Sequence, residues 1–299
     1  MSIPFSEDLA FAHQIVDEAS LLALGHFSVG VSAIAKADGS PVTVADHEVE
    51  QLLRARISSH FSRDCLIGEE FGSTGDADRK WIIDPIDGTS FFMRNDPNWR
   101  IHLALQVGEH LDLAVVSAPA LGLRWWAQRG SGAYEADWIV SVNAPDSGLK
   151  APPEFSRKLL TSNTSELSSS QIACAPELIR ERLPAECGAA PPTPLPLVEL
   201  VRGEIDAFVA EGFHLWDHAP WILLVEEAGG RFTDRAGGNR GDQGGGVYSN
   251  APLHQVLTIG YCFGGANILT WLDNQANTNP SQHRQEFSPP GLPVPHRSL

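Results

Sequence analysis

Apolar and polar positions in the first half of the chain predict two helices followed by a series of strands. Ile15 and Ala19 share one face of a helix predicted over residues 6–27, in which Ser6 is the N-cap. A second helix is predicted over residues 43–60. Short apolar runs predict strands over residues 65–67, 81–83, 101–107, 111–117, 124–128 and 138–142. This order indicates an N-terminal sheet that is covered by two helices.

Connections rich in proline and serine follow Asn143, and the elements predicted beyond them are shorter. The predicted helices cover residues 176–183, 197–202 and 216–228, and a strand covers residues 205–209. The chain is therefore expected to be an α/β protein with an N-terminal α+β half at residues 1–145 and a C-terminal α/β half at residues 146–273. Residues 274–299 are too polar and proline-rich to pack, and we expect this tail to be disordered.

The charge of the chain bears on its partners. It has 37 acidic and 21 basic residues, for a formal charge of −16. Because this charge repels phosphate backbones, no nucleic-acid partner is expected. No apolar stretch approaches the roughly 20 residues that cross a bilayer, so no membrane role is expected. The start of the chain lacks a basic and apolar leader, and the cysteines have no C-x-x-C spacing, which together predict a cytoplasmic protein.

The segment WIIDPIDGTSFF, residues 81–92, places two aspartates behind a hydrophobic strand. Asp84 is predicted at the C-terminal edge of that strand, and Gly88 and Thr89 form a turn that opens into a helix. Asp84 and Asp87 carry hard anionic oxygens of the kind that Mg²⁺ takes as ligands. The alternative is a turn in which both aspartates accept backbone hydrogen bonds. Taken alone, the segment leaves these two interpretations open.

Three other acidic segments strengthen the metal interpretation. Glu69 follows a short apolar run in LIGEEFG, again at a predicted strand end. Asp217 lies in the first turn of a predicted helix, where its carboxylate either caps free N–H groups or binds a cation. Asp46 follows Thr43 in a T-x-x-D pattern that is typical of a helix cap.

His214 and His218 have the i, i+4 spacing of a zinc pair, but the Glu of H-E-x-x-H is missing.

These segments together resemble the inositol monophosphatase superfamily of Mg²⁺-dependent phosphate-ester hydrolases. WIIDPIDGT is similar to the first signature of the family and WDHAPWILLVEEAGG to the second, while PVTVAD and GEE precede them in the expected order. The resemblance implies an αβαβα sandwich of two α/β halves. Within the superfamily, SAPALG followed by RWW is more similar to the histidinol-phosphate phosphatase branch than to the inositol branch.

The resemblance implies a centre of two or three Mg²⁺ ions between the two halves. Its ligands would be the carboxylates of Glu69, Asp84, Asp87 and Asp217 and the carbonyl oxygen of Ile86. No covalent intermediate with a protein side chain is needed, because a multi-metal site neutralises the phosphate and activates water.

The resemblance also implies the residues that act on water and phosphate. Thr89, hydrogen-bonded to Asp46, would orient and deprotonate the attacking water, which Glu69 would help to hold. Backbone N–H groups at Gly88, Thr89 and Ser90 would contact the phosphate at a helix N-terminus. Asp217 would also contact the substrate.

The sequence departs from the family pattern where the alcohol part of the substrate would bind. Phe91 replaces an asparagine, and PPTPLP at residues 191–196 replaces a small-residue helix start. Ala210, with Glu211 beside it, stands where relatives have a glutamate for the substrate's hydroxyl or amine. Glu211 is a candidate replacement, and Arg100 is either a substrate contact or a salt-bridge residue. The substrate is therefore harder to predict than the reaction.

We expect a Mg²⁺-dependent phosphatase that acts on a small phosphorylated metabolite, with histidinol phosphate as the preferred ester. The alternatives are an inositol or sugar monophosphatase, or a relative recruited to specialised biosynthesis. A non-catalytic metal or ligand sensor with the same fold is the competing class. Because relatives are often dimers, we expect a homodimer.

Overall fold

The computed structural model describes residues 6–30, 33–35, 41–138, 156–161, 171–175, 188–211, 213–234 and 245–249. Within these ranges the helices are α1 (Glu7–Val29), α2 (Val44–His60), α3 (Thr89–Met93), α4 (Pro196–Val201) and α5 (Leu215–Glu227). The strands are β1 (Ala33–Ala35), β2 (Pro41–Thr43), β3 (Cys65–Gly68), β4 (Gly72–Thr74), β5 (Arg79–Asp87), β6 (Arg100–Val107), β7 (His110–Ala118), β8 (Leu123–Gln128), β9 (Gly132–Asp137), β10 (Arg157–Lys158), β11 (Gln171–Ala175), β12 (Gly188–Ala189), β13 (Ala207–Glu211), β14 (Arg231–Asp234) and β15 (Gly245–Ser249).

An eight-stranded sheet dominates the N-terminal part, with the strand order β10-β9-β8-β7-β6-β5-β3-β4. All neighbours in it are antiparallel except β3 and β5, which are parallel. Alternate residues of a strand face opposite sides of a sheet. Val115 accordingly packs in the cluster formed with α1 and α2, whereas Val116 packs in the cluster formed with α4 and α5. The sheet is thus covered by helices on both faces.

A second sheet has the order β12-β11-β13-β15-β14. Strands β11, β12 and β13 are parallel, and β15 runs antiparallel to both β13 and β14. Helix α5 packs against strands of both sheets. The described residues therefore form successive layers of helices, large sheet, helices and small sheet, which confirms the predicted layered α/β class.

The first two helices are confirmed, with their caps. Ser6 accepts a hydrogen bond from the N–H of Leu9 at the start of α1, at 3.1 Å. Thr43 is the N-cap of α2 and forms a capping box with Asp46. In both cases a polar side chain satisfies a backbone donor that has no partner inside the helix.

The strand predicted over residues 81–83 is longer than the apolar run indicates. Strand β5 extends from Arg79 to Asp87, and its register against β6 shifts between Asp84 and Asp87. Asp84 was predicted at the C-terminal edge of the strand. This prediction is wrong, because Asp84 lies inside β5. The shift lies at Pro85, which has no N–H to give to a ladder, so the strand passes through an irregularity and continues.

Several predictions for the remaining chain differ from the structure or fall outside it. Strand β9 is missed, because its sequence GAYEAD is short and rich in alanine. The strand predicted over residues 205–209 begins and ends two residues later, as β13. The helices predicted over 197–202 and 216–228 are confirmed as α4 and α5 with shifts of one residue. Residues 139–142, 176–183 and 274–299 lie outside the described residues.

No helix in the described ranges combines the length and the apolar character needed to cross a membrane.

Candidate active site

The end of strand β5 brings the first pair of predicted ligands together. Asp84 is almost fully buried, and its Oδ1 accepts a hydrogen bond from the N–H of Ile86 at 3.1 Å. This bond closes a short turn across Pro85 and directs the chain so that Asp87 follows on the same side. The turn alternative is therefore observed for Asp84, and it uses only one of the two carboxylate oxygens.

Asp87 is paired with residues of the neighbouring strand β6. Arg100 is its partner in the strand register, and Arg100 Nε donates to Asp87 Oδ2 at 2.6 Å, with a second bond from the NH2 group of Arg100. His102 Nε2 lies 3.4 Å from the same oxygen. Burial acts to raise the pKa of Asp87, but the charge and the hydrogen bonds of Arg100 oppose it, and the pKa lies below its ordinary value.

Thr89 and Asp46 are in contact, as the resemblance implies. Thr89 Oγ1 lies 3.2 Å from Asp46 Oδ1 and 3.1 Å from the carbonyl oxygen of Ile86. The other oxygen of Asp46 accepts hydrogen bonds from the N–H and the hydroxyl of Thr43, at 2.8 and 2.6 Å. Burial raises the pKa of Asp46, although these hydrogen bonds act in the opposite direction. One carboxylate thus caps α2 and reaches the Thr89 hydroxyl.

Glu69 follows β3 directly, at the turn between β3 and β4. Its N–H donates to the carbonyl oxygen of Ile83 on β5 at 3.3 Å, which sets the start of the turn beside the Asp84 segment. The next two N–H groups, of Glu70 and Phe71, donate to the buried Glu50 carboxylate of α2 at 2.7 and 3.2 Å. The turn that carries Glu69 is therefore held from two elements.

Glu50 itself fits because residue 68 is glycine. A Cβ atom at Gly68 would lie 2.0 Å from Glu50 Oε1. Arg54, one turn further along α2, donates to that oxygen at 2.6 Å and neutralises the buried carboxylate. Glu50 holds the turn that carries Glu69. No sequence motif marks this residue, since it lies among other acids on α2.

Asp217 approaches the site from the other side, in the first turn of α5. Its Oδ2 accepts a hydrogen bond from the N–H of His214 at 2.6 Å, so the capping prediction for this residue is confirmed. Burial and the charge of Asp87 raise the pKa of Asp217 to about 7. Asp217 and Asp87 line the same cavity, so Asp217 lies near the acids of the large sheet.

The acidic cluster fits a hard divalent cation. Burial, together with the charges of Glu69, Asp87 and Asp217, raises the pKa of Asp84 well above its ordinary value. Carboxylates that repel one another in a buried place are stabilised by a shared cation, and oxygen ligands are those that Mg²⁺ prefers. Among the described residues, ligand atoms of Asp84, Asp87 and His102 all lie within 4.8 Å of one another. These residues therefore form a possible acidic metal site, and the carboxylates fit a divalent cation.

His102 is a site residue that sequence reasoning missed. It is buried on β6, and burial lowers its pKa to about 4, so its ring is neutral at pH 7. Trp221 of α5 donates its indole N–H to His102 Nε2 at 3.3 Å. The signal for this residue was weak, because a lone histidine in the apolar run RIHLALQV is typical of a core position.

A cavity of about 320 Å³ opens beside the acids. Its polar end is formed by Asp87, Gly88, Arg100, His102 and Asp217. The rest of its lining is formed by Phe91, Leu195, Leu197, Val198, Phe208, Phe213, Trp221 and the segment Thr193, Pro194 and Pro196. Phe91 and residues 193–196, two of the three departures from the family pattern, therefore line the cavity next to the acids.

The remaining predicted residues occupy different positions. Ser90 is exposed on α3. Arg100 takes the salt-bridge alternative, to Asp87, and its NH1 also donates to the carbonyl oxygen of Pro194 at 3.3 Å. Ala210 is buried, and Glu211 is the last residue of β13. The rings of the zinc-pair candidates have different aromatic neighbours: His214 stacks on Trp216, and His218 contacts Phe213 and Phe232.

Comparison with known proteins identifies the family to which this chain belongs. The family model described as "Inositol monophosphatase family" matches residues 5–261. Among solved structures, the IMPase of Thermotoga maritima aligns with a TM-score of 0.67 over 91% of this chain and 99% of that chain. Its sequence identity is 24%, so this similarity bears on the fold alone.

Two curated relatives are more similar in sequence. A protein of Streptomyces griseus named glucose-1-phosphate thymidylyltransferase is 37% identical over 243 residues, covering 79% of this chain and 89% of that protein. A histidinol-phosphatase of Streptomyces coelicolor is 32% identical over 280 residues, covering 86% of this chain and 97% of that protein. The two names describe different reactions on phosphorylated small molecules.

Proposed function

The chain belongs to the inositol monophosphatase family and is a phosphatase, and from this premise we propose that it hydrolyses a small-metabolite phosphate monoester with Mg²⁺ as its cofactor. The observation that carries the proposal is that Asp87 and Asp217 line one end of a cavity, that ligand atoms of Asp84 and Asp87 lie within 4.8 Å of each other, and that Thr89 is hydrogen-bonded to Asp46. Each of these residues comes from a segment that matches the family signatures.

The residues proposed to hold two or three Mg²⁺ ions are Glu69, Asp84, Asp87, Asp217 and the carbonyl group of Ile86. When bound, the cation supplies a Lewis acid that neutralises phosphate charge and favours attack by water. The buried acids hold their positions without it, because Asp84 is fixed by the Ile86 N–H and Asp217 by the His214 N–H.

Thr89 and Asp46 are proposed to position and deprotonate the attacking water. The Thr89 hydroxyl can donate its hydrogen to Asp46 and then accept one from water. Asp46 is suited to receive a proton, since burial raises its pKa above the ordinary value. Backbone N–H groups at Gly88, Thr89 and Ser90, where α3 begins, are proposed to contact the phosphate.

Histidinol phosphate is the preferred substrate in this proposal. It is supported by the histidinol-phosphatase of Streptomyces coelicolor, of which 97% is matched. Inositol or sugar phosphates and an ester of a specialised pathway are the alternatives. The relative named as a thymidylyltransferase supports a second candidate, nucleotidyl transfer to glucose 1-phosphate. Hydrolysis is favoured, because the family match covers residues 5–261 and the acidic cluster suits metal-assisted attack by water.

The test is phosphate release from a panel of esters, with Mg²⁺ and with a chelator in its place. The panel contains histidinol phosphate, inositol 1-phosphate, fructose 1,6-bisphosphate, nucleoside monophosphates and sugar phosphates. We expect Mg²⁺-dependent release with histidinol phosphate as the best substrate. A separate reaction with dTTP and glucose 1-phosphate would show pyrophosphate release if nucleotidyl transfer is the real activity. No turnover of any kind would favour the sensor alternative.

The homodimer and the cytoplasmic location remain predictions. Light scattering coupled to size-exclusion chromatography measures the first, and fractionation of the producing cells measures the second. A monomeric mass in the presence of Mg²⁺ would contradict the dimer.

A further inference from the structure

The cavity next to the acids has one polar end and an apolar remainder, and this division indicates what kind of alcohol it accepts. We propose that it selects phosphate esters whose alcohol part carries a compact apolar or aromatic group, such as the imidazole of histidinol phosphate, and that it discriminates against polyhydroxylated alcohols. The inference rests on the proposed function, because the phosphate must lie at the acidic end for the alcohol to enter the cavity. It concerns the specificity of this chain, beyond the reaction itself.

The proline-rich wall is the first reason. Of residues 193–196, which line the cavity, Pro194 and Pro196 have no amide N–H to offer to a ligand. The N–H of Leu195 is already used, since it donates to Thr193 Oγ1 at 3.2 Å. The carbonyl oxygen of Pro194 accepts from Arg100 NH1 at 3.3 Å. This wall therefore presents hydrocarbon and very few free hydrogen-bonding groups.

The polar groups at the acidic end are the second reason, because they are bonded to one another. Arg100 directs its guanidinium to Asp87 and to the carbonyl oxygens of Asn98 and Pro194. The indole N–H of Trp221 donates to His102. Among the described residues near the acids, few side-chain donors thus remain for the hydroxyl groups of a substrate.

The other walls add apolar surface. Phe208 and Trp221 belong to the buried cluster between the two sheets, and Phe213 and Leu197 pack against it at the cavity. Phe91 closes the cavity near the phosphate end, where a Cβ at Gly88 would lie 3.0 Å from its ring. A flat or compact hydrocarbon group would bury its surface among these side chains, which stabilises the complex.

A polyol would lose affinity in the same place. Each hydroxyl group that leaves water without gaining a hydrogen bond weakens binding by a factor of about ten. Inositol 1-phosphate and cyclohexyl phosphate form a matched pair for this test, because they share a six-membered carbon ring and differ in the hydroxyl groups. Cyclohexanol is also the poorer leaving group, so chemical reactivity opposes the expected preference.

The experiment measures kcat/KM for both esters in the full-length wild-type protein with Mg²⁺. We expect cyclohexyl phosphate to exceed inositol 1-phosphate by at least about tenfold, through a lower KM. A preference for inositol 1-phosphate, or equal values, would overturn the inference while phosphate release still supports the proposed function. If another ester is hydrolysed and these two are not, their inhibition constants against that ester give the same ranking.

Two variants at one position connect the preference to the cavity. Phe91→Asn introduces an amide at the wall, and Phe91→Leu keeps the wall apolar. We expect the first to reduce the ratio between the two esters by about tenfold and the second to leave it within about threefold. An unchanged ratio of kcat/KM in a folded Phe91→Asn protein would show that Phe91 does not contribute to the preference. Thermal shift by each ester with Mg²⁺ ranks binding even where turnover is absent, and equal shifts would overturn the inference independently of phosphate release.

Discussion

The two ends of the cavity are built in different ways. At the acidic end, directed hydrogen bonds hold individual side chains, as between Asp46 and Thr89 and between Asp217 and the N–H of His214. At the proline end, the wall is formed by apolar side chains and by prolines that lack N–H groups. The acidic end is organised by directed bonds, and the proline end by packing.

This difference indicates how reaction and specificity can change separately. A packed apolar wall tolerates substitutions of similar volume, whereas a buried carboxylate that loses its partner is costly. Arg100 connects the two ends, because it donates to Asp87 on one side and to Pro194 on the other.

The largest effect is expected from Asp87→Asn. The substitution removes a proposed ligand at nearly constant volume, so turnover should fall by about a thousandfold while the far-ultraviolet circular dichroism stays unchanged. Asp137→Asn is the control, since Asp137 is exposed at the end of β9. Wild-type rates in a folded Asp87→Asn protein would show that Asp87 holds no essential ion.

Mg²⁺ should stabilise the folded protein, because the ion binds a cluster of acids that unfolding disperses. At an ion concentration 100 times the Kd, the expected gain is about 2.7 kcal/mol in the free energy of unfolding. Urea unfolding with and without Mg²⁺ measures it. In Asp84→Asn the gain should largely disappear. Equal stabilisation of both proteins would place the bound ion away from Asp84.

Gly68→Ala should destabilise the protein at the turn that carries Glu69. The added Cβ would overlap the Glu50 carboxylate that holds the Glu69 turn, at a cost of about 2 kcal/mol in unfolding free energy. Gly25→Ala is the matched control, because no atom lies within 4 Å of its added Cβ in α1. The control should be neutral or slightly stabilising. Equal unfolding midpoints for the two variants would contradict the proposed support by Glu50.

The smallest effect is expected from Arg100→Lys, which keeps the charge near Asp87. A single ammonium group cannot reproduce the two bonds to Asp87 and the bond to Pro194, so kcat/KM should fall by about tenfold. Arg63→Lys, at an exposed residue, is the control. A loss that is the same for cyclohexyl and inositol phosphates would mean that Arg100 supports the acidic end alone.

Much of the acidic end was predictable, because its residues lie in local patterns. Thr43 and Asp46 form a cap that depends on residues only three positions apart, and Asp84 and Asp87 lie in one short segment. The contact of Thr89 with Asp46 joins residues 43 positions apart, and it was inferred from the family resemblance. His102 and Glu50 were missed, because their roles depend on neighbouring strands and turns that the sequence does not bring together.

The α/β class, the capped helices and the acidic segments follow from the sequence, because periodicity and capping act over a few residues. The continuation of β5 through Pro85, the bonds of Arg100 to Asp87 and the position of the proline segment at the cavity are seen only in the folded protein. These features depend on strand register and on packing between the two sheets. Contacts between distant segments depend on the whole fold, so local sequence patterns do not predict them.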